Sequence, residues 1–342
     1  MTKNIAVLGT GANGSCIAAD LTAAGHDVAL IDQWPAHIEA MRANGLRIQM
    51  ENEEVHIPVR AYHLCDVCTL NEKFDIVLLV MKAYDAAWAS HFIEPYLQPD
   101  GLLVGVQNAM MAEEIASIVG PSRTLGCVVE LASQIEIPGI VERNTTRDKS
   151  WFGLGSLDPS TAGREEEVAE LLRHVARVDI VDDILSAKWM KLTVNAMMLA
   201  PMAMLGLPGS EAMHVPGMRA LMLRAGAEAL VVGESLGYQA VPIMGLGVED
   251  VVDRETIPDV LLDELSSLVR PGGHNTILMD HHKGRKTEAP LINGLVASEL
   301  QRLGKDGSVN AAIAEISARV TRGEIEPAMT NLDLVQAICP PG

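Results

Sequence analysis

The chain has 342 residues, 48% hydrophobic and 21% charged, the balance of a globular protein rather than a disordered one. Its length suits two domains better than one core. A net charge of −19 opposes nucleic-acid and anionic-membrane partners, and an aromatic content of 3% leaves little surface on which bases could stack.

The start of the chain, MTKNIAVLGTG, runs straight into an apolar strand and shows no signal-peptide layout. Residues 4–8, NIAVL, are stopped by Gly9; helical spacing then runs through Ile17, Leu21 and Ala24 to Gly25. HDVALID reads as a second strand ending at Asp32, and Pro35 and Gly45 bracket a helix. FDIVLLV (74–80) and GLLVGVQ (101–107) are unbroken apolar runs of strand length, as in a parallel sheet covered on both faces. Helical segments at 83–97 and 110–119 alternate with them, the doubly wound α/β pattern. From Asp182 onward strand signals nearly vanish, and helical periodicity dominates 183–199, 216–236, 256–269, 287–303 and 308–321. The expected organisation is therefore a Rossmann-type domain over 1–181 and an all-helical domain over 182–342.

No stretch reaches the eighteen apolar residues of a membrane span. Five cysteines, an odd number at low density, suit reduced thiols and a cytoplasmic location. Cys65 and Cys68 form a C-x-x-C pair with His63 nearby, but no fourth ligand follows, and no metal site is expected. Cys16 reads as a small core residue, and His281 and His282 as surface groups.

GTGANG, Gly9 to Gly14, fits G-x-G-x-x-G between a predicted strand and a predicted helix, the context that gives the pattern its meaning. Gly9 permits the tight turn, Gly11 lets the backbone approach a pyrophosphate, and Gly14 lets helix and sheet pack closely. Ala12 and Asn13 complete the loop, and the helix N-terminus turns its N–H groups and positive dipole end to the phosphates. Asp32 lies eighteen residues past Gly14, where a carboxylate accepts hydrogen bonds from ribose hydroxyls and repels a 2′-phosphate. Gln33 and Trp34 follow it with no adjacent Arg or Lys, so NAD is expected over NADP.

In the second half, KWMKLTVNAMMLAP (188–201) puts Lys188, Lys191 and Asn195 at i, i+3 and i+7, one stripe on an otherwise apolar helix. That stripe is either a wet helix face or a polar face turned into a cleft. A second cluster is GRKTEAPLING, Gly284 to Gly294. Taken in order with GTGANG, VMKAYD and VQNAM, these segments resemble the ketopantoate reductase family over nearly the whole chain. The family has an N-terminal Rossmann domain and a C-terminal helical domain.

The resemblance implies roles position by position. Lys191 matches the catalytic lysine that gives a proton to the carbonyl oxygen, and Glu288 the glutamate that interacts with it. Asn195 matches a substrate-binding asparagine. Asn108 matches one near nicotinamide and substrate, and Lys82 a cofactor-contacting lysine. Thr276 stands where the family places a substrate-binding serine. Hydride transfer at a carbonyl needs a proton on the oxygen, which a sequestered lysine can supply while its charge stabilises the developing alkoxide. Read without the resemblance, Lys191 and Glu288 are ordinary helix-surface charges, and Lys188 keeps that reading.

The chain departs from the family pattern at three places. Leu199 replaces a second substrate-binding asparagine, and Pro208 a later one. Asp32 stands where these NADPH-using enzymes generally have a basic group nearby. Losing such donors works against a polar ligand. Met197, Met198, Met202 and Met204 crowd the same segment, as core filling or as an adaptable pocket lining. The expected function is NAD-dependent interconversion of a secondary alcohol, such as a hydroxy acid less polar than pantoate, and its ketone. The alternatives are NADPH-dependent 2-dehydropantoate reduction and a non-catalytic dinucleotide sensor. The partner is a small molecule, and the methionine-rich helical domain is compatible with a homodimer.

Overall fold

The computed structural model describes residues 3–266, 269, 272–305 and 308–340. The chain divides into two compact units, Met1–Leu185 and Ser186–Gly342.

The first unit is built on an eight-stranded sheet. Its strands are β1 (Ile5–Leu8), β2 (Val28–Asp32), β5 (Arg60–His63), β6 (Phe74–Leu79), β7 (Leu97–Gly105), β8 (Thr124–Glu130), β11 (Trp151–Ser156) and β12 (Arg177–Ile180), in the order β12-β11-β8-β7-β6-β1-β2-β5. All neighbours pair parallel except β8 and β11, which pair antiparallel. From β1 the chain first winds through β2 to the edge at β5, then returns to lay β6 on the other side of β1. That reversal is a topological switch point, where open α/β sheets bind ligands beyond the carboxyl ends of their strands. Every residue of β1 and β2 is buried, as expected for strands covered on both faces.

Helices α1 (Ala12–Ala23), α2 (Pro35–Asn44), α3 (Ala86–Ile93), α4 (Ala112–Val119) and α5 (Glu165–Leu172) complete the unit. A second sheet, β4-β3-β10-β9, is formed by β3 (Leu46–Gln49), β4 (Glu54–Ile57), β9 (Ser133–Gln134) and β10 (Ile140–Arg143). Helix α1 contacts β1 and β2 on one side and all four strands of this small sheet on the other. This explains its unbroken burial from Gly14 to Leu21 and its lack of a polar stripe. The sequence reading missed this sheet. Its strands are two to four residues long; β3 alternates buried with half-buried positions, and β4 has no buried position.

Among the described residues, the second unit, after the first turn of α6 (Ile184–Ala203), has helices and no strand. It contains α7 (Gly209–Ala212), α8 (Met218–Ser235), α9 (Ile257–Ser266), α10 (Thr276–His282), α11 (Asn293–Arg302), α12 (Val309–Thr321) and α13 (Thr330–Ile338). The helix expected over 256–269 ends at Ser266, and residues 267 and 268 of that expectation lie outside the described residues. The helix expected over 287–303 starts at Asn293, behind a short 3-10 turn at Ala289–Leu291 whose second residue is Pro290. Among the described residues no helix is long and apolar enough to cross a membrane.

Candidate active site

In the first unit the chain passes from β1 into α1 through the glycine loop, and each glycine there has a separate reason. Gly9 has φ +94, and a β-carbon on it would lie 2.6 Å from the backbone nitrogen of Met81. At Gly14 a β-carbon would lie 2.0 Å from the carbonyl oxygen of Gly9, so only hydrogen fits where α1 crosses the loop. A β-carbon on Gly11 would meet nothing within 4 Å. The backbone there faces open space, the cradle that close approach of a pyrophosphate requires. The Thr10 hydroxyl oxygen, in the same loop, is buried without a hydrogen-bond partner among the described residues. Ala12 opens the helix, and the Asn13 side-chain oxygen accepts a hydrogen bond from Ser133 Oγ at 2.5 Å, tying the loop to the small sheet. The loop therefore fits a dinucleotide.

The other three cofactor candidates of this unit fall on the same edge of the sheet. Asp32 ends β2, Lys82 follows β6 by three residues, and Asn108 follows β7 by three. Asp32 is 7% exposed, and its Oδ1 accepts the Trp34 N–H at 2.8 Å. Lys82 and Asn108 are half-buried. Asn108 is followed by Ala109, which is held at φ +67. β2, β1, β6 and β7 are adjacent in the sheet, so topology places all four groups beyond the carboxyl ends of neighbouring strands.

A support under the loop was not visible in the sequence. The Ser15 hydroxyl donates to the Thr10 carbonyl at 2.8 Å and lies 3.1 Å from His37 Nε2. The Gly139 N–H donates to His37 Nδ1 at 2.9 Å, which assigns the ring proton to Nε2 and makes Ser15 its acceptor. The imidazole is fully buried, and burial pushes its pKa down to about 4.

In the second unit the lysine stripe is not a wet helix face. Lys191, Asn195 and Glu288 are 7%, 4% and 3% exposed. Lys188, read as a solvated charge, is 3% exposed, on a helix whose residues are buried along almost its whole length. The Lys191 ammonium lies 3.9 Å from Met244 Sδ. Two asparagines bring the other candidates to this helix. Asn275 caps α10 by accepting the Leu278 N–H at 3.0 Å, while its amide donates to the Leu199 carbonyl of α6 at 2.9 Å. Thr276, the next residue, is thereby set beside the turn of α6 that follows Asn195, and it is half-buried. Asn293, five residues past Glu288, donates to the Ala196 carbonyl at 2.9 Å and to Asn310 Oδ1 at 2.8 Å. Asn310 in turn donates to the Ala225 carbonyl and to Glu228, whose carboxylate receives the Val309 and Asn310 N–H groups at the start of α12. The asparagine of the GRKTEAPLING segment is therefore a clamp between helices.

Met197, Met198, Met202 and Met204 are all buried, at 1%, 6%, 3% and 1% exposure, and Met197 packs against Gly226 of α8. Met244, which the sequence did not single out, is the methionine at the lysine. Cys16 is buried, Cys65 and Cys68 are exposed, His281 is half-buried and His282 exposed. Among the described residues no group of His, Cys, Asp and Glu is arranged to hold a metal ion.

Comparison with known proteins agrees across both units. Residues 5–156 match the family described as ketopantoate reductase PanE/ApbA, and residues 183–320 match its C-terminal region. The 2-dehydropantoate 2-reductase of Mesorhizobium japonicum is 29% identical, with 88% of this chain and 91% of that one aligned. The enzyme of the same name from Archaeoglobus fulgidus is 25% identical over 94% of this chain and 99% of its own. Among solved structures, D-mandelate dehydrogenase with NADH and anilino(oxo)acetate shares the fold at a TM-score of 0.81 and 20% identity. The alignment covers 94% of this chain and 99% of that one. With both of its regions matched by one family, in order and over most of its length, the chain belongs to the ketopantoate reductase family of NAD(P)-dependent oxidoreductases.

Proposed function

We propose that the chain is an NAD-dependent dehydrogenase interconverting a 2-hydroxy acid, bulkier or less polar than pantoate, and its 2-keto acid. The observation that carries this reading is the burial of Lys191 together with Asn195 and Glu288 on elements tied to one helix. Charged side chains are rarely enclosed in this way unless they are paired or in use. Lys191 gives its proton to the carbonyl oxygen in reduction and takes it from the hydroxyl in oxidation, and its charge stabilises the alkoxide between. Glu288 orients the ammonium. Asn195, one turn along α6, and Thr276 and Asn108 hold the polar groups of the substrate. The bound nicotinamide supplies or accepts the hydride. Gly9, Gly11, Ala12, Asn13 and Gly14 hold the pyrophosphate, Asp32 the adenosine ribose hydroxyls, and Lys82 and Asn108 the remainder of the dinucleotide.

Two observations favour this reading over NADPH-dependent reduction of 2-dehydropantoate. Asp32 puts a buried carboxylate at the end of β2, followed by Gln33 and Trp34, where a 2′-phosphate would be repelled. Leu199 and Pro208 remove two hydrogen-bonding side chains that the family resemblance associates with the hydroxylated substrate.

The test is kcat/KM with NADH and with NADPH over a panel of 2-keto acids, for the wild type and Lys191→Ala. The expected result is a preference for NADH with keto acids bearing an apolar substituent. Lys191→Ala should lose about 10²-fold or more in kcat while keeping its NADH affinity. Higher kcat/KM with NADPH and 2-dehydropantoate overturns the reading in favour of the family's namesake reaction. NADH binding without turnover of any panel member points to a sensor.

A further inference from the structure

Met244 sits in a backbone conformation that its residue type does not favour. The Leu246 N–H closes a turn on the Ile243 carbonyl at 3.1 Å. Both central residues have positive φ, +55 at Met244 and +95 at Gly245. Such primed turns take Asn, Asp or Gly at their first central position. A side chain with a β-carbon crowds the backbone carbonyl there, and among the described residues only Ala109 shares the departure. Ala109 directly follows Asn108, so both departures lie next to candidate site residues. Burial of the methionine side chain offsets that strain: Met244 is 8% exposed, with its sulfur 3.9 Å from the Lys191 ammonium.

The chemistry of that contact is selective. A thioether is a weak acceptor, so a substrate carbonyl oxygen displaces it readily from the ammonium. Its methylene and methyl groups can neither donate to nor accept from a substrate hydroxyl. We propose that Met244 is a specificity-determining residue. Its side chain forms the apolar wall beside the proton donor and selects keto acids whose substituent is apolar over those whose substituent carries a hydroxyl. This rests on the dehydrogenase reading above and names the residue that sets its substrate class.

The experiment measures kcat/KM for phenylglyoxylate, a branched-chain 2-keto acid and 2-dehydropantoate with wild type, Met244→Leu, Met244→Ala and Met244→Asn, alongside NADH affinity. Met244→Leu, which keeps an apolar side chain of similar volume, should retain the wild-type order of substrates. Met244→Ala and Met244→Asn should shift the ratio of apolar to hydroxylated substrate by about tenfold or more, the scale set by a few methylene contacts. The shift should lie mostly in KM, with NADH affinity unchanged. Asparagine also suits the turn, so Met244→Asn should be no less stable than Met244→Ala. A wild type active on the panel, with variants that lower kcat/KM for every substrate by the same factor, overturns the role of Met244 alone. A wild type that turns over none of the keto acids overturns the dehydrogenase reading, and this role with it.

Discussion

Gly14 and His37 show how single residues decide whether the dinucleotide loop exists. The hydrogen on Gly14 faces the Gly9 carbonyl where even a methyl group would overlap backbone, and backbone has no rotamer with which to yield. His37 acts from beneath, linking Thr10 through Ser15 to Gly139 on the small-sheet side. Its hydrogen bonds need a bare Nδ1, so they are made by the neutral ring. The folded-state pKa of about 4 lies below the ordinary 6.5, so the folded protein resists taking a proton that the unfolded chain accepts. The stability this contributes is fully present above pH 6.5 and is lost as pH falls toward 4. A gap of about 2.5 pH units at ~1.36 kcal/mol each amounts to about 3 kcal/mol. Urea unfolding midpoints of the wild type should therefore fall between pH 6.5 and 4. His37→Gln should start lower at pH 7 and show a flatter decline across that window. Parallel declines in the two proteins would assign the acid sensitivity to other groups. None of this was legible in the sequence, because His37 lies in an unremarkable helix and its partners are 22 and 102 residues away.

At the scale of elements, α6 is the clearest case of a sequence signal that was half readable. Lys191 and Asn195 stood out by their spacing and by the family motif. The surroundings of the helix were not legible, because the residues that enclose it come from distant helices. Helix α8 approaches α6 through glycines. A β-carbon on Gly233 would lie 2.2 Å from Trp189 Nε1, and one on Gly226 would lie 2.5 Å from Met197 Sδ. The two neighbours differ in compliance. Trp189 is a rigid ring whose N–H is committed to the Ala229 carbonyl at 2.9 Å and which stacks on Tyr238. Met197 has three rotatable bonds and can turn aside. Gly233→Ala should thus cost about 2–3 kcal/mol through overpacking. Gly226→Ala should be near neutral, since the gain of about 1 kcal/mol from replacing a helical glycine offsets a small shift of the methionine. Thermal or urea denaturation of the two variants checks this, and equal losses would mean that the interface yields as a whole. The long apolar strands β1, β2, β6 and β7 were readable for the opposite reason: their burial on both faces is written in their own composition. The small sheet and helix α10, seven residues or fewer per element, carry too few positions for a period to show.

At the scale of the molecule, the change of composition near residue 180 reflects two separate ways of making a core. One apolar cluster runs through the sheet and helices of the first unit, with members from Ile5 to Ala176 and none from the second. The second unit closes on α6, α8, α11 and α12 through apolar packing and the Asn293–Asn310–Glu228 network. Units with their own cores have their own stabilities, so calorimetric unfolding should depart from a single two-state transition. The proposed roles also divide between them: the dinucleotide residues belong to the first unit, and Lys191, Asn195, Thr276 and Glu288 to the second. NADH at about 100 times its Kd should stabilise the unit that binds it by about 2.7 kcal/mol. Hydrogen exchange should then slow in β1, α1 and β2, while α11 and α12, which carry no proposed cofactor residue, change little. Equal protection of α12 and α1 on adding NADH would show that the two cores unfold together, and the division of labour between them would have to be abandoned.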